Sequence, residues 1–125
     1  MKLAISVAGK TLDSSFDARF GRAVAFCIVD TETGAWQTFD NPALSASGGA
    51  GVQASQFVAK HAVQAVVSGA FGPNAFDTLA AAEIEMYLAP GNEAHTAAEI
   101  LEMFKAGGLT KAEVATHAGH HGGPH

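Results

Sequence analysis

The order of apolar runs and helical segments predicts an α/β fold with a five-stranded mixed sheet between two layers of helices. From residue 50 onward, segments of helical periodicity alternate with short apolar runs, as in parallel strand–helix–strand units. Before them, a Thr-Glu-Thr-Gly turn at residues 31–34 separates two strand-like runs, which predicts an antiparallel hairpin. Crossover connections place helices on both faces of a sheet, so we expect a three-layer α/β/α arrangement.

Five segments have the composition and length of strands. Residues 3–8 and 63–68 are short apolar runs typical of buried strands, and residues 84–89 form a third such run. Residues 23–30 are apolar almost throughout, and residues 35–39 alternate in the pattern of a half-exposed strand. The last two flank the turn, so they form the predicted hairpin of the second and third strands.

Three helices are predicted between these strands, at about residues 50–61, 74–82 and 93–106. Pro73 suits the first turn of the second helix, and Asn92 has the side chain of an N-cap for the third. The third helix carries the fullest apolar stripe, formed by Ala97, Ile100, Leu101 and Phe104.

The C-terminal part of the chain differs in character from the rest. Two glycines end the third helix, and Thr110-Lys-Ala-Glu113 has the spacing of a capping box, which predicts one further short helix. The remaining residues are rich in histidine and glycine and predict a flexible tail. We therefore expect a ligand-binding α/β domain over residues 1–108 and a short helix with a His-rich tail over residues 109–125.

Composition excludes several classes of protein. With 125 residues, 48% apolar and 15% charged, the chain is long and apolar enough for one folded domain. A net charge of −5 without a basic run argues against nucleic-acid binding. No apolar run approaches the roughly 20 residues of a membrane span, and the N-terminus lacks the features of a signal peptide, so we expect a cytoplasmic protein.

Three loops predict a site for an anion. The first contains Arg19 and Arg22, whose guanidinium groups are planar sets of donors. The second leads into the first helix, where backbone N–H groups attract negative charge; its candidate donors are Ser47, Gly48, Gly49 and Gly51. The third follows the fourth strand and contains Gly69, Phe71, Gly72 and Asn74. Ligands of α/β sheets lie beyond the carboxyl ends of parallel strands, so these loops are expected to surround one crevice.

In this crevice Phe20 or Phe71 would cover an apolar face of the ligand, and Asn74 would donate from its amide. Simpler interpretations stay open for each loop. The glycines before the first helix can serve only as a tight turn, and residues 69–74 can be an ordinary strand-to-helix connection. The arginines can be surface charges or partners of Asp13 and Asp17.

Residues 49–54 match the pattern G-x-G-x-x-A, which also occurs in dinucleotide-binding folds. That site requires a strand directly before the glycines and an acidic residue about 20 positions later. Here a loop of about ten residues precedes them and Asn74 stands at the later position. No Gly-Lys-Ser/Thr sequence follows either, so the segment is neither a dinucleotide nor a P-loop motif.

Metal-ligating and catalytic residues give weaker signals. Cys27 lies within an apolar run, where a free cysteine acts as a small buried hydrophobe or, less often, as a thiolate ligand. No nucleophile–base pair stands out, so we do not expect an enzyme. A two-metal hydrolase remains an alternative in which scattered carboxylates would gather: Asp13, Asp17, Asp30 and Asp40. Dense imidazoles in the tail can bind copper, nickel or zinc, or bind metal only adventitiously: His117, His120, His121 and His125.

Taken together, the ordered motifs resemble the dinitrogenase iron–molybdenum cofactor biosynthesis family over about residues 1–105. The resemblance is carried by Lys2-Leu-Ala-Ile-Ser-Val-Ala-Gly9, Asp17-Ala-Arg-Phe-Gly-Arg22, Asp40-Asn-Pro42, Ser47-Gly-Gly-Ala-Gly51 and Gly69-Ala-Phe-Gly-Pro-Asn-Ala75. It implies a ribonuclease-H-like fold that carries a metal–sulfur cluster without catalysing a reaction.

The resemblance implies two kinds of cargo. In the nitrogenase branch the cargo is an iron–molybdenum cofactor or its precursor, and the carriers often use a Cys or His ligand outside these loops, for which this sequence gives no secure match. Small single-domain members with a His-rich end hold an anionic molybdenum–copper sulfide cluster non-covalently, and this chain looks most like them. Members of this size are also associated with partner ATPases of the cell-division type, so a regulatory protein-interaction module is an alternative.

We predict that removing residues 117–125 weakens copper binding and leaves the fold intact, because the removed segment holds four of the six histidines. Calorimetric titration of the full-length and truncated proteins with Cu²⁺ measures the change, and far-UV circular dichroism checks the fold. An unchanged copper affinity would show that the tail is not a copper ligand.

Overall fold

The computed structural model describes residues 1–90 and 94–114. Within these residues it contains six strands and three helices. The strands are β1 (Lys2–Val7), β2 (Ala25–Asp30), β3 (Trp36–Asp40), β4 (Ala65–Ser68), β5 (Glu85–Leu88) and β6 (Thr110–Lys111). The helices are α1 (Ala50–Lys60), α2 (Pro73–Ala81) and α3 (Ala97–Lys105). No helix in this part of the chain is long and apolar enough to span a bilayer.

All six strands form one mixed sheet in the order β3-β2-β1-β4-β5-β6. β2 pairs antiparallel with both β1 and β3, which confirms the predicted hairpin. β4 pairs parallel with β1 and with β5, through the crossovers predicted from the alternating segments. Consequently β1, β3, β4 and β5 all run in one direction, and the segments that follow them emerge at the same end of the sheet.

The core lies on both faces of this sheet. Along β1, Leu3, Ile5 and Val7 point to one face and pack in a cluster with Ile100 of α3. Ala4 points to the other face, whose cluster includes Val58 of α1 and Leu79 of α2. Successive side chains of β1 thus enter two apolar clusters, one against α1 and α2 and the other against α3. Helices therefore cover both faces of the sheet, as the three-layer prediction requires.

The prediction of five strands and a short helix at Thr110 was wrong, because Thr110 and Lys111 form β6. They pair antiparallel with β5, and the Lys111 ammonium lies 3.3 Å from the Glu85 carboxylate. Ala112 follows, buried, with its N–H donating to the carbonyl of Met86. A helix of one turn is marginal in isolation, so these contacts outweigh the local capping signal. The sheet thus extends beyond residue 108, and the His-rich tail lies outside the described residues.

The third helix begins later than the sequence predicts. Its N-cap is Thr96, whose hydroxyl accepts from the Glu99 N–H, while the Glu99 carboxylate accepts from the Thr96 N–H. This reciprocal capping box satisfies two of the unpaired donors at the helix start. Asn92, the predicted N-cap, lies outside the described residues.

Cys27 is fully buried in β2, on the face covered by α3, which confirms its predicted role in the core. Burial raises the pKa of the Cys27 thiol to about 11. Because metals and alkylating reagents react with the thiolate, this cysteine is poorly suited to ligate a cluster.

We predict that the Cys27 thiol resists labelling by a disulfide reagent at pH 8 in the folded protein and reacts rapidly in urea.

The raised pKa also means that only the unfolded thiol ionises between about pH 9 and 11. The free energy of unfolding should therefore fall more steeply across that window in the wild type than in Cys27→Ala. Equal labelling rates in folded and unfolded protein, or equal slopes, would contradict the prediction.

Candidate functional site

A crevice of about 320 Å³ lies at the end of the sheet where β1, β3 and β4 finish. Its walls come from three segments: residues 18–22 after β1, Ala50 and Gly51 at the start of α1, and residues 70–75 after β4, Phe71 excepted. The first and third are joined by a parallel bridge between Arg19 and Ala70. The three loops that the sequence singles out therefore meet at one place.

The structure brings six of the eleven predicted cluster-binding residues to the crevice wall. These are Arg19, Phe20, Arg22, Gly51, Gly72 and Asn74. Three others, Ser47, Gly48 and Gly49, are exposed in the loop that immediately precedes α1. The remaining two, Gly69 and Phe71, do not line the crevice, and their contacts place them behind its wall.

Two helices begin at this crevice with their amide groups uncapped. The N-caps of α1 and α2 are Gly49 and Gly72, neither supplies a side-chain cap, and neither first turn contains an acidic residue. By contrast, α3 has the Thr96–Glu99 capping box. Free N–H groups at a helix start carry a partial positive charge, so the two helix starts place two partial positive charges at one crevice.

Glycines allow the three segments to approach this closely. A Cβ atom on Gly51 would lie 3.1 Å from the Cβ atom of Ala75, so α1 and α2 meet at a position without a side chain. A Cβ atom on Gly21 would lie 3.1 Å from the backbone nitrogen of Gly51. Gly21 and Ala75 were missing from the predicted site, since only spatial neighbours reveal why small residues are needed there.

Gly69 acts in packing rather than at the crevice surface. Its N–H donates to the carbonyl of Ala18 at 3.0 Å, and an added Cβ atom would lie 2.4 Å from the Cβ atom of Ala18. This contact holds the arginine-bearing loop against the end of β4.

Arg19 forms a two-point ion pair with Asp17. Its Nε donates to Oδ1 at 3.1 Å and its Nη2 to Oδ2 at 2.9 Å, while the Arg19 backbone N–H also donates to Oδ1. These hydrogen bonds and the carboxylate charge raise the pKa of Arg19. The alternative of a partnership with Asp17 is thus confirmed, and the pair as a whole is neutral.

Arg22 ties its loop to the loop that precedes α1. Its Nη1 donates to the carbonyl of Ala46 at 2.8 Å. Nearby, the buried Asn41 amide donates to the carbonyls of Gly21 and Ala23, which joins the same two loops a second time. Among the described residues no carboxylate pairs with Arg22, so it brings an unbalanced positive charge to the crevice.

The two phenylalanines are part of the core. Phe71 is fully buried, and Phe20 lines the crevice with only 2% of its surface exposed. Their ring centroids lie 5.4 Å apart, and Phe20 lies equally close to Phe26. The prediction that Phe71 covers an apolar face of the ligand is therefore wrong, because a strand-to-helix connection buries its ring under the crevice.

The carboxylates of the hydrolase alternative do not gather into a metal site. Asp17 pairs with Arg19, Asp40 lies 3.6 Å from Lys10, and Asp30 accepts from backbone N–H groups in the hairpin turn. Across residues 1–90 and 94–114, no three His, Cys, Asp or Glu side chains come together as metal ligands. The four tail histidines, His117, His120, His121 and His125, lie outside the described residues.

Residues 1–107 match the profile of the family described as dinitrogenase iron–molybdenum cofactor. The chain belongs to this family. Among solved structures it is similar to the apo form of the orange protein from Desulfovibrio gigas, with 34% identity, a TM-score of 0.87, and coverage of 93% of this chain and 96% of that one. No curated protein sequence matches the chain.

A second similar structure is a Thermotoga protein described as NifB-like and as a member of the DUF35 family. It is 33% identical with a TM-score of 0.79, and the match covers 93% of this chain and 97% of that one. Both matches span nearly the whole of each chain, so they relate the complete fold rather than one motif.

We predict that Gly69→Ala lowers the free energy of unfolding by about 1–3 kcal/mol, because the added methyl group meets the backbone of Ala18. Gly48→Ala is the matched control, since a Cβ atom there meets nothing within 4 Å. Urea denaturation should find the control unchanged or stabilised by up to about 1 kcal/mol. Equal effects of the two substitutions would contradict the packing role of Gly69.

Proposed function

We propose that this protein is a non-catalytic carrier that binds an anionic molybdenum-containing sulfide cluster in the crevice, without a covalent bond to the protein. The observation that carries the proposal is the convergence of two uncapped helix N-termini on one crevice that also holds Arg22. Each helix start is equivalent to about half a positive charge. The crevice therefore attracts an anion although the chain as a whole carries a net charge of −5.

The lining favours a large and weakly hydrated anion. Alongside the N–H donors, the walls contain four alanines and the small exposed part of Phe20, which offer little polar surface to a strongly hydrated ion. A metal–sulfide cluster has a delocalised negative charge and soft sulfur atoms that suit such a surface. The crevice volume of about 320 Å³ is also typical of a small-ligand site.

The donor set supports a non-covalent mode of binding. A conventional iron–sulfur site uses four cysteine thiolates, whereas this chain has one cysteine, buried away from the crevice with a raised pKa. Arg22, the Arg19 guanidinium and the first-turn amides of α1 and α2 would hold the sulfide edges by hydrogen bonds. Gly51, Gly72 and Asn74 would form the adjoining wall.

Family membership supports molybdenum in the cargo. The molybdenum–copper cluster is our specific choice, because the resemblance implies it for small single-domain members, and the matched orange protein is of nearly the same length as this chain. Copper would be captured by the histidines of the C-terminal segment. The iron–molybdenum cofactor of nitrogenase is the alternative, supported by the description of the family itself. Protein isolated from its native host without added metal distinguishes them by visible absorption and elemental analysis: copper with molybdenum and sulfide selects the first, and iron selects the second.

We predict that apo protein binds tetrathiomolybdate and that Arg22→Ala weakens this binding by roughly tenfold or more, as expected for the loss of a charge-assisted hydrogen bond. Lys60→Ala is the matched control, because it removes the same charge at the far end of α1. Titration monitored by visible absorption measures both affinities. Failure of the wild type to bind, or an equal loss in both variants, would count against the crevice as the binding site.

A further inference from the structure

The loop that carries Arg19 rests on a buried polar scaffold at the ends of β1 and β4. The hydroxyl of Ser6 donates to the carbonyl of Asp17 at 2.6 Å, and the hydroxyl of Ser68 donates to the carbonyl of Ala18 at 3.2 Å. Both serines are fully buried, and their hydroxyl oxygens lie 2.9 Å apart. The Asp17 N–H completes the attachment by donating to the carbonyl of Ser6. The backbone of residues 17–18 is thus fixed by two central strands.

On this scaffold the Asp17–Arg19 pair is asymmetric. The Asp17 side chain is only 7% exposed, whereas the Arg19 side chain is 63% exposed and lines the crevice. The carboxylate is therefore part of the fixed interior, and the guanidinium lies at the surface that would meet a ligand. Burying a carboxylate without a partner costs free energy, so Asp17 favours the side-chain conformations of Arg19 that keep the ion pair.

The pair leaves Arg19 able to bind an anion. A guanidinium has five N–H donors in one plane, and the contacts to Asp17 use the Nε donor and one of the two on Nη2. The remaining donors have a set direction, since two parallel hydrogen bonds fix the plane of the group. A free arginine on a loop would have to lose its rotamer freedom when a ligand binds.

We propose that Asp17 is a positioning residue, which orients the Arg19 guanidinium toward the crevice before the anionic cargo arrives. This inference rests on the proposed function. It also predicts the direction in which the affinity for the anion changes when Asp17 is replaced, because the negative charge of Asp17 by itself opposes the binding of an anion. If orientation dominates, removing that charge weakens binding; if the carboxylate merely competes with the ligand for Arg19, removing it strengthens binding.

The test measures tetrathiomolybdate affinity for the full-length wild type, Asp17→Asn, Arg19→Ala and the double variant. We expect Asp17→Asn to weaken binding about threefold to tenfold, the range for one immobilised long side chain. In the Arg19→Ala background the same substitution should have no further effect, since Asp17 acts through Arg19. Asp13→Asn is the matched control: it removes an equal charge from an exposed position of the same loop and should leave the affinity unchanged or slightly raised.

Binding as tight as or tighter than wild type in Asp17→Asn would overturn the positioning role, as would an equal loss in the Arg19→Ala background. A wild type that fails to bind would overturn the proposed function and this role with it, so the two failures are distinguishable. Thermal unfolding checks that each variant is folded. If Asp17→Asn does not fold, Arg19→Lys decides: it keeps the charge but cannot form the two-point pair, and an affinity equal to wild type would overturn the proposal.

Discussion

The close approach of three chain segments at one end of the sheet is the constraint on which the candidate site depends. Gly51 has no side chain where α1 meets Ala75 of α2, and Gly69 has none where the end of β4 meets Ala18. A methyl group at either position would separate segments whose backbones must nearly touch. The crevice is therefore a product of packing as much as of its chemical groups, because its donors converge only when these segments are in contact.

This packing explains how a mildly acidic chain can gather partial positive charges at one crevice. The first turns of α1 and α2 leave their N–H groups uncapped at the crevice, while α3 uses its Thr96–Glu99 capping box. Side-chain capping of the first N–H groups is therefore present in α3 and absent in α1 and α2, the two helices that begin at the crevice. The buried Asp17 pairs with Arg19 without closing that space, since its carboxylate lies in the interior and the guanidinium lies outside it.

Local sequence patterns predicted most of the fold and failed where distant contacts compete with them. The hairpin, the crossovers and the two helical layers follow from periodicity and turn chemistry over a few residues each. The capping-box pattern at Thr110 predicted a helix, yet pairing with β5 draws the same residues into the sheet. At the start of α3 the N–H groups of the first two residues donate to carbonyls of the loop after β1, and these distant contacts accompany the capping box at Thr96, where the helix begins.

The sequence by itself determined the components of the site: two arginines, two glycine-rich loops that follow strands of one direction, and a single cysteine within an apolar run. Only the tertiary structure decided how they are used. Phe71 lies in the core because the connection after β4 turns its ring inward. Arg19 forms an ion pair with Asp17 because hydrogen bonds from β1 and β4 fix the loop that carries both residues. Residue types and spacings specify local conformation, whereas burial and pairing depend on which segments the whole sheet brings together.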